Sequence, residues 1–163
     1  MLLLYNIVAH ATISNKDGNM HYIMRRINTI TRCSLLNRAE RLSKDDINPC
    51  HHGYFLAISR NPGISQEELA KHLCINKSNV TRSLARLEMD GYIRRTPNDA
   101  DKRVINVHPT EKLNRILPQI RSIAHDWNAY LTDGLTDEEM ELFHSVLDRI
   151  YEKARQYSEE AGK

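Results

Sequence analysis

Basic and small polar side chains recur at helical spacing between residues 77 and 86. Positions three or four apart share one face of a helix, so these side chains would point the same way. An arginine can donate two hydrogen bonds to a guanine edge, and small polar groups at a helix start can approach bases or phosphates. The pattern predicts contacts with the major groove of duplex DNA by six side chains: Lys77, Ser78, Asn79, Thr81, Arg82 and Arg86.

A second set of charged side chains surrounds a polar turn at 98–101. Asp101 stands two residues before Arg103, close enough across a turn to hold its guanidinium in one direction. An arginine held in this way can enter a narrow minor groove, where the potential is most negative. A surface ion pair means little alone, so the prediction depends on its place in the chain. The DNA contacts predicted for this region are Arg94, Arg95, Asp101, Lys102 and Arg103.

The element that must position the first set is a capped helix. Val80, Leu84 and Leu87 recur at i, i+4 and i+7 and predict a buried stripe opposite the polar side chains. Asn76 is a predicted N-cap, and Gly91 follows the last periodic residue, where glycine favours a helix stop. We therefore predict a helix whose apolar side is held to a core while its cations face outward.

The neighbouring segments predict a helix before this one and a hairpin after it. Ser65 and Glu68 have the spacing of a capping box, and the helix that they start ends at a tight turn at 74–75. Residues 92–96 and 103–108 are rich in strand formers and flank the polar turn. Helix, turn, helix and hairpin in this order can place one helix in a major groove and a wing beside it.

The rest of the chain is predicted to be helical. Apolar periodicity predicts a helix over 21–43, a buried helix that opens at Asn48 and Pro49, a helix over 110–133, and a last helix after Gly134. The terminal helices carry more apolar surface than one small winged domain can cover, which predicts a homodimer interface. The predicted fold class is mainly α with a small two- or three-stranded β wing.

The predicted domain organisation has three parts. Residues 47–109 form a winged helix–turn–helix domain, residues 20–46 and 110–163 form a helical dimerisation region, and residues 1–19 are an N-terminal extension, floppy or locally packed. The apolar start of that extension lacks a basic segment and is too short to span a bilayer, so no membrane contact is expected.

Composition and charge narrow the class of protein further. The net charge is only +2, yet residues 21–44 carry six basic side chains against one acidic, and residues 134–163 carry four against eight. This asymmetry suits a chain that presents one face to phosphates. Three cysteines without close pairing indicate a reducing cytoplasm. We find no nucleophile motif, carboxylate pair or glycine-rich phosphate loop, so an enzyme is not expected. The eight histidines show no HxxxH or CxxC pairing, so neither a metal site nor a cofactor is expected.

The order of these motifs resembles the MarR family of bacterial winged-helix transcription regulators. The resemblance covers about residues 21–157 and is carried by the segments at 65–70, 76–82, 84–93 and 98–112, with the closing match at 134–139. Leu113 departs from the family, which often has glycine there, and Asn98-Asp99 replaces a frequent Asp-Pro of the wing. We interpret both departures as tolerated variation.

The resemblance implies a homodimer whose first, fifth and sixth helices interlock and whose two winged domains bind a pseudo-palindrome. Carried over by position, Ser78, Thr81, Arg82 and Arg86 would touch the major groove or its phosphates, and Asp101 with Arg103 would match the family's wing pair. The family usually binds small, often aromatic or phenolic, effectors in a cleft between the dimer helices and the winged domain, here lined from the first, second and fifth helices. The implied function is an effector-responsive regulator, most often a repressor.

Two alternatives remain open from the residues alone. Winged helices also act as protein-interaction or dimerisation modules without DNA contact, although their exposed helix face tends to be apolar or acidic. Cys50 lies in the first turn of the second helix beside His51 and His52, and a helix start can make a thiol reactive, which would give a redox-sensing regulator of the same fold.

Overall fold

A computed structural model describes residues 19–43 and 47–161. The extension predicted over residues 1–19 lies outside the described residues apart from Asn19. The elements follow the chain as α1 (Asn19–Leu42), a 3-10 turn (Pro49–His51), α2 (His52–Arg60), β1 (Ile64–Ser65), α3 (Gln66–Leu73), α4 (Lys77–Met89), β2 (Ile93–Pro97), β3 (Ile105–Pro109), α5 (Glu111–Thr132) and α6 (Asp137–Ala161). The prediction of a mainly helical fold with a small sheet is confirmed.

The chain divides into two compact units within α1, after Asn37. The described part of the first unit is the α1 segment from Asn19 onward. Six of its larger apolar side chains are exposed: Tyr22, Ile23, Met24, Ile27, Ile30 and Leu36. Exposed apolar side chains at helical spacing form a stripe that a single copy of the chain leaves open to water.

The core of the second unit lies between α2, α3, α4, the sheet and the first half of α5. Its fully buried side chains include Phe55 and Ile58 of α2, Leu69 of α3 and Leu84 of α4. The predicted stripe of Val80, Leu84 and Leu87 is buried as a whole, and the second helix is buried on most sides as predicted. This packing fixes which side of α4 remains outside.

The sheet has three antiparallel strands in the order β1-β3-β2. The two-residue strand β1 was not predicted, because two residues are too few to show a period of two. Its pairing begins beside Gly63, whose φ of 88° lets its N–H donate to the Val107 carbonyl at 2.9 Å. The hairpin strands are each displaced by one or two residues from their predicted bounds, and Arg103 lies in the turn.

The predicted helix ends are confirmed by their hydrogen bonds. Ser65 and Glu68 form a reciprocal capping box, with distances of 3.0 and 3.1 Å between each backbone N and the other side chain. Asn76 caps α4 by accepting from the Ser78 N–H at 2.8 Å. Gly91 adopts a left-handed φ of 77° after α4, as a helix-stop glycine does. Each cap stabilises its helix by about 1 kcal/mol.

The last two helices are long and amphipathic. Helix α5 starts at the predicted cap Thr110 and continues through Pro118. In α6, no described side chain is buried, and its larger apolar residues are exposed: Leu142, Phe143, Val146, Leu147, Ile150, Tyr151 and Tyr157. Among the described residues, no helix combines the length and the apolar character that crossing a bilayer requires.

Candidate nucleic-acid interface

The six side chains predicted on α4 lie together on its exposed side. Lys77, Ser78, Asn79, Thr81, Arg82 and Arg86 are all exposed, and the buried stripe faces away from them. We call these six residues the polar face of α4. It combines three cations with hydroxyl and amide groups close to the helix N-terminus, where backbone N–H groups and the helix dipole attract anions.

The cations of the polar face have partners in the chain. Lys77 Nζ lies 3.0 Å from Glu67 Oε1, Arg86 Nε lies 2.8 Å from Asp90 Oδ2, and Arg82 donates to the Asn79 side chain. The hydrogen bond from Lys77 lowers the pKa of Glu67, and the charges of Lys77 and Lys71 act in the same direction. Because these pairs are open to solvent, they are weak and can be exchanged for phosphate contacts.

The hydroxyl of Thr81 is held from two sides. It donates to the Lys77 carbonyl at 2.9 Å and accepts from Nε2 of Gln66, the first residue of α3. Sequence reasoning missed Gln66 as a residue that contacts the polar face of α4. A glutamine at a helix start does not by itself predict a contact with another helix. Gln66 and Thr81 are fifteen residues apart in the chain and meet only because α3 packs against α4.

The wing arginine is held as predicted. Asp101 accepts from Arg103 Nε and Nη2, each at 3.0 Å, and also from the Arg103 backbone N–H at 3.0 Å. The side-chain hydrogen bond from Arg103 is the largest cause that lowers the pKa of Asp101, and the backbone hydrogen bond adds to it. The carboxylate therefore stays ionised. The Arg103 side chain is 91% exposed, so an oriented guanidinium projects from the wing. Bidentate pairing of this kind fixes direction as well as charge.

The other wing residues divide into exposed and half-buried. Arg94 and Lys102 are exposed, and Lys102 Nζ lies 3.3 Å from Asp99. Arg95 is only 27% exposed, and its Nε and Nη2 donate to one oxygen of Glu88 at 2.8 and 2.6 Å. The Arg95 backbone N–H donates to the second oxygen at 2.9 Å. Arg95 therefore joins β2 to α4, a connection that sequence reasoning did not anticipate.

A cleft of about 570 Å³ brings the two predicted clusters together. The starts of α3 and α4 supply Gln66, Glu67 and Lys77 to its walls, and the wing supplies Asn98 and Arg103. The cations of the helix start and of the wing tip therefore border one concave surface. A phosphate backbone that entered this cleft would meet both of them.

A second cleft, of about 650 Å³, lies behind α4. The last turn of α1, the segment 47–51 and α4 line it, and its charged groups are His51, Arg82, Arg86 and Asp90. Burial is the main cause that lowers the pKa of His51, and the nearby charge of Asp90 opposes it. Cys50 is exposed and lies between Pro49 and His51 of this cleft, with its backbone N–H donating to Asn48 Oδ1 at 2.9 Å.

The described residues contain no group of metal-ligating side chains close enough to hold an ion.

The start of α5 is tied to the end of α4. Lys112 Nζ donates to the Asp90 carbonyl at 2.7 Å and lies 4.3 Å from the centre of the Tyr92 ring. The Thr110 hydroxyl donates to the Gly91 carbonyl at 2.7 Å. A shift of α5 would therefore move the carboxyl end of α4 or break these hydrogen bonds.

A pair of capped helices is followed in the chain by an antiparallel hairpin, and the second helix has an exposed cationic face. This arrangement defines a winged helix–turn–helix protein. A family model described as the MarR family matches residues 54–105, which span the region from α2 to the start of β3. A regulator from Bacillus subtilis (strain 168), named as the uncharacterized HTH-type transcriptional regulator YybA, is 31% identical over 133 residues, which cover 80% of this chain and 87% of that protein. The chain belongs to the MarR family of transcription regulators.

Two solved structures that contain DNA are similar in sequence as well as in fold. A MarR family regulator from Listeria monocytogenes, complexed with a 26mer DNA, is 26% identical with a TM-score of 0.78 and covers 83% of this chain and 91% of its own. A mutant MarR from E. coli, complexed with operator DNA, is 27% identical with a TM-score of 0.73 and covers 84% and 99%. The predicted resemblance to the MarR family is confirmed, and so is the prediction that the chain is a regulator and not an enzyme.

Proposed function

We propose that this regulator binds a pseudo-palindromic operator as a homodimer, through the polar face of α4 and the tip of the wing. The observation that carries the proposal is the cleft shared by Lys77 and Arg103, which directs the helix cations and the wing arginine to one surface. The two similar regulators with DNA in their structures support it. A cytoplasmic location follows for a protein that acts on operator DNA.

The proposed residue roles follow from exposure and contacts. Lys77, Ser78, Asn79, Thr81, Arg82 and Arg86 contact the major groove or its phosphates, and Arg94, Lys102 and Arg103 contact the backbone or the minor groove. Asp101 orients Arg103. Arg95, with its guanidinium bonded to Glu88, positions the wing.

The homodimer is proposed from the exposed apolar side chains of α1 and α6. Neither stripe is covered in one copy of the chain, and stripes of this size mark association surfaces. A two-fold dimer would present two α4 helices about one turn of DNA apart, near 34 Å, which is the spacing that successive major grooves require. The predicted division into residues 20–46 with 110–163 and residues 47–109 agrees with this proposal.

The effector is proposed to be a small aromatic or phenolic anion, and release of DNA is the proposed response. The cleft behind α4 supplies Arg82 and Arg86 as carboxylate or phenolate partners. Its described walls come from α1, the segment 47–51 and α4, so the fifth helix that was expected to line such a cleft takes no part in this one. An anion held there would compete with DNA for the same guanidinium groups, which makes the chain a repressor that an effector releases.

The test is selection of bound duplexes from random DNA, with and without candidate phenolic acids. We expect an inverted repeat to be enriched, and its affinity to fall with salt with a log–log slope near −0.9 per phosphate neutralised. Enrichment of no sequence, with little binding to any duplex, would favour the alternative of a protein-interaction module.

The redox alternative is tested in the same assay. Cys50 is an exposed free cysteine whose chain neighbours Pro49 and His51 line the cleft behind α4. If an oxidant releases DNA from the wild type and leaves Cys50→Ser bound, the effector is an oxidant and not a phenolic anion. We expect oxidant to leave the wild type bound.

A further inference from the structure

The hydroxyl group of Thr81 has little hydrogen-bonding capacity left for DNA. A hydroxyl carries one hydrogen and two lone pairs. In this chain the hydrogen is donated to the Lys77 carbonyl at 2.9 Å, and one lone pair accepts from Gln66 Nε2. Thr81 could therefore donate to a base edge only if its bond to the Lys77 carbonyl were broken, and a single lone pair is left to accept.

Besides that lone pair, the part of the Thr81 side chain that remains available for contact is its methyl group. Thr81 is exposed, and it lies one helical turn after Lys77 on the polar face of α4. In the major groove, thymine differs from the other bases by its C5 methyl group, and a threonine methyl is a suitable apolar partner for it. A contact between two methyl groups needs a fixed side chain, because either group gains little from a partner that rotates away.

Gln66 supplies that fixation from a separate helix. It is half-buried at the first position of α3, and Glu67 beside it is held by Lys77 at 3.0 Å and Lys71 at 3.5 Å. Two neighbouring residues of α3 thus bond to α4 one turn apart, so the start of α3 is locked to the start of α4. The side chain of Thr81 is oriented by a helix that need not touch the base itself.

We infer that Thr81 recognises a thymine in each half-site through its methyl group, and that Gln66 is the positioning residue that commits the Thr81 hydroxyl away from the base. The inference rests on the proposed function, since it names what one residue of the polar face recognises. Specificity for thymine would then depend on two residues on different helices, Thr81 of α4 and Gln66 of α3.

The experiment replaces single thymines of the selected operator by deoxyuridine, which removes only the C5 methyl and leaves the pairing groups unchanged. For the wild type, we expect one position in each half-site to lose affinity about fourfold, the effect of one buried methyl-sized group. Thr81→Ser keeps the hydroxyl and loses the methyl. Since both protomers of the proposed dimer carry the change, it should bind the thymine operator about sixteenfold more weakly, about fourfold for each half-site, and show no further loss with deoxyuridine at that position.

Two further variants separate the roles of the two residues. Thr81→Val keeps a methyl but loses the hydroxyl that Gln66 holds. Because a helix restricts valine to one main rotamer, this variant should retain the thymine preference and no longer depend on Gln66. Gln66→Ala leaves the methyl and the bond to the Lys77 carbonyl in place but removes one of the two bonds that hold the Thr81 side chain, so the preference should shrink. Gln66→Glu, which removes the donor but keeps the length, should shrink it similarly. Ser78→Ala is a comparison on the same face: whatever it does to overall affinity, the ratio of affinities for the thymine and deoxyuridine operators at the Thr81 position should stay unchanged.

Three results would overturn the inference. They are equal binding of every deoxyuridine operator by the wild type, a preference that survives in Thr81→Ser, and a preference unchanged in Gln66→Ala. Binding of no duplex at all would be distinguished from these, because it would overturn the proposed function and this inference with it.

Discussion

Arg103 is held at the tip of the wing by three hydrogen bonds to a single carboxylate, yet its side chain is almost fully exposed. A flexible arginine loses side-chain entropy when DNA fixes it, and this one has already lost much of that freedom. The pair therefore contributes little to folding, since solvent screens it, and its value lies in the direction of the guanidinium. Loss of either partner should affect binding more than stability.

Arg103→Ala is expected to weaken operator binding about tenfold, because a charged contact to the groove is removed. The measurement is a fluorescence anisotropy titration with the selected operator, beside a sedimentation run that should show an unchanged dimer. Lys102→Ala is the matched control, an adjacent exposed cation whose removal should cost less. Equal losses for the two variants would contradict a special role for the oriented arginine.

At the level of elements, the Glu88–Arg95 bond joins the wing to α4. One carboxylate accepts from both the side chain and the backbone of Arg95, so it fixes the strand as well as the guanidinium. The hydrogen bond from the Arg95 side chain is the largest cause that lowers the pKa of Glu88. A depressed pKa in the folded state means that this stabilisation is present above the unfolded pKa and disappears as the pH falls through the folded pKa.

Glu88→Gln is expected to lower the free energy of unfolding at pH 7 by less than about 1 kcal/mol, because the pair is partly exposed. The difference from the wild type should shrink as the pH falls below about 4.3, the ordinary pKa of glutamate, and vanish once the folded-state carboxylate is protonated. Urea unfolding at fixed protein concentration measures it across pH. A difference that stays constant down to pH 3 would show that the ion pair does not cause it.

The core side of α4 has a larger effect on stability than its polar face. Leu84 is fully buried, so Leu84→Ala should lower the free energy of unfolding by about 2–5 kcal/mol. Met89 on the same helix is 71% exposed, and Met89→Ala should change it by at most about 0.5 kcal/mol. Thermal and urea unfolding of the two variants provide the comparison, and similar losses would mean that the helix packs by another side.

The elements whose signals are local were the ones that sequence could predict. Asn76, Ser65 with Glu68, and Gly91 act within four residues along the chain, and each is found in its predicted role. Strand β1 and the bonds of Gln66 and Glu88 were not predictable. Their partners come together only through tertiary packing, and a glutamine or glutamate on a helix surface has no distinctive pattern. For the candidate site, the sequence predicted which residue types lie on which face of each element. It did not predict that Arg95 is half-buried and bonded to Glu88 while the other cations are exposed.

At the level of the whole molecule, two long helices leave their apolar stripes open. The largest set is on α6, where Phe143, Leu147 and Ile150 recur at helical spacing and all are more than 40% exposed. Water would be in contact with these stripes in a monomer, so the hydrophobic effect would favour the proposed burial between two copies.

Leu147→Glu combined with Ile150→Glu is expected to give a monomer, because two charges would have to be buried without partners. Analytical ultracentrifugation measures the mass, and the operator titration should show a large loss of affinity, since one copy binds a single half-site. Arg149→Glu, on the same helix turn, is the control that changes charge outside the stripe. A wild type that is monomeric at micromolar concentration would contradict the proposed homodimer.

The cations of α4 and the wing tip are accompanied by acceptors of their own chain, mostly carboxylates: Lys77 by Glu67, Arg82 by Asn79, Arg86 by Asp90, Lys102 by Asp99 and Arg103 by Asp101. A chromosome offers millions of incorrect sites that differ from the operator only in base sequence, and all of them attract positive charge equally. A surface whose cations are partly neutralised attracts such sites more weakly than a surface of unpaired cations would. This regulator should therefore search the genome quickly and spend little time on sequences that it does not control.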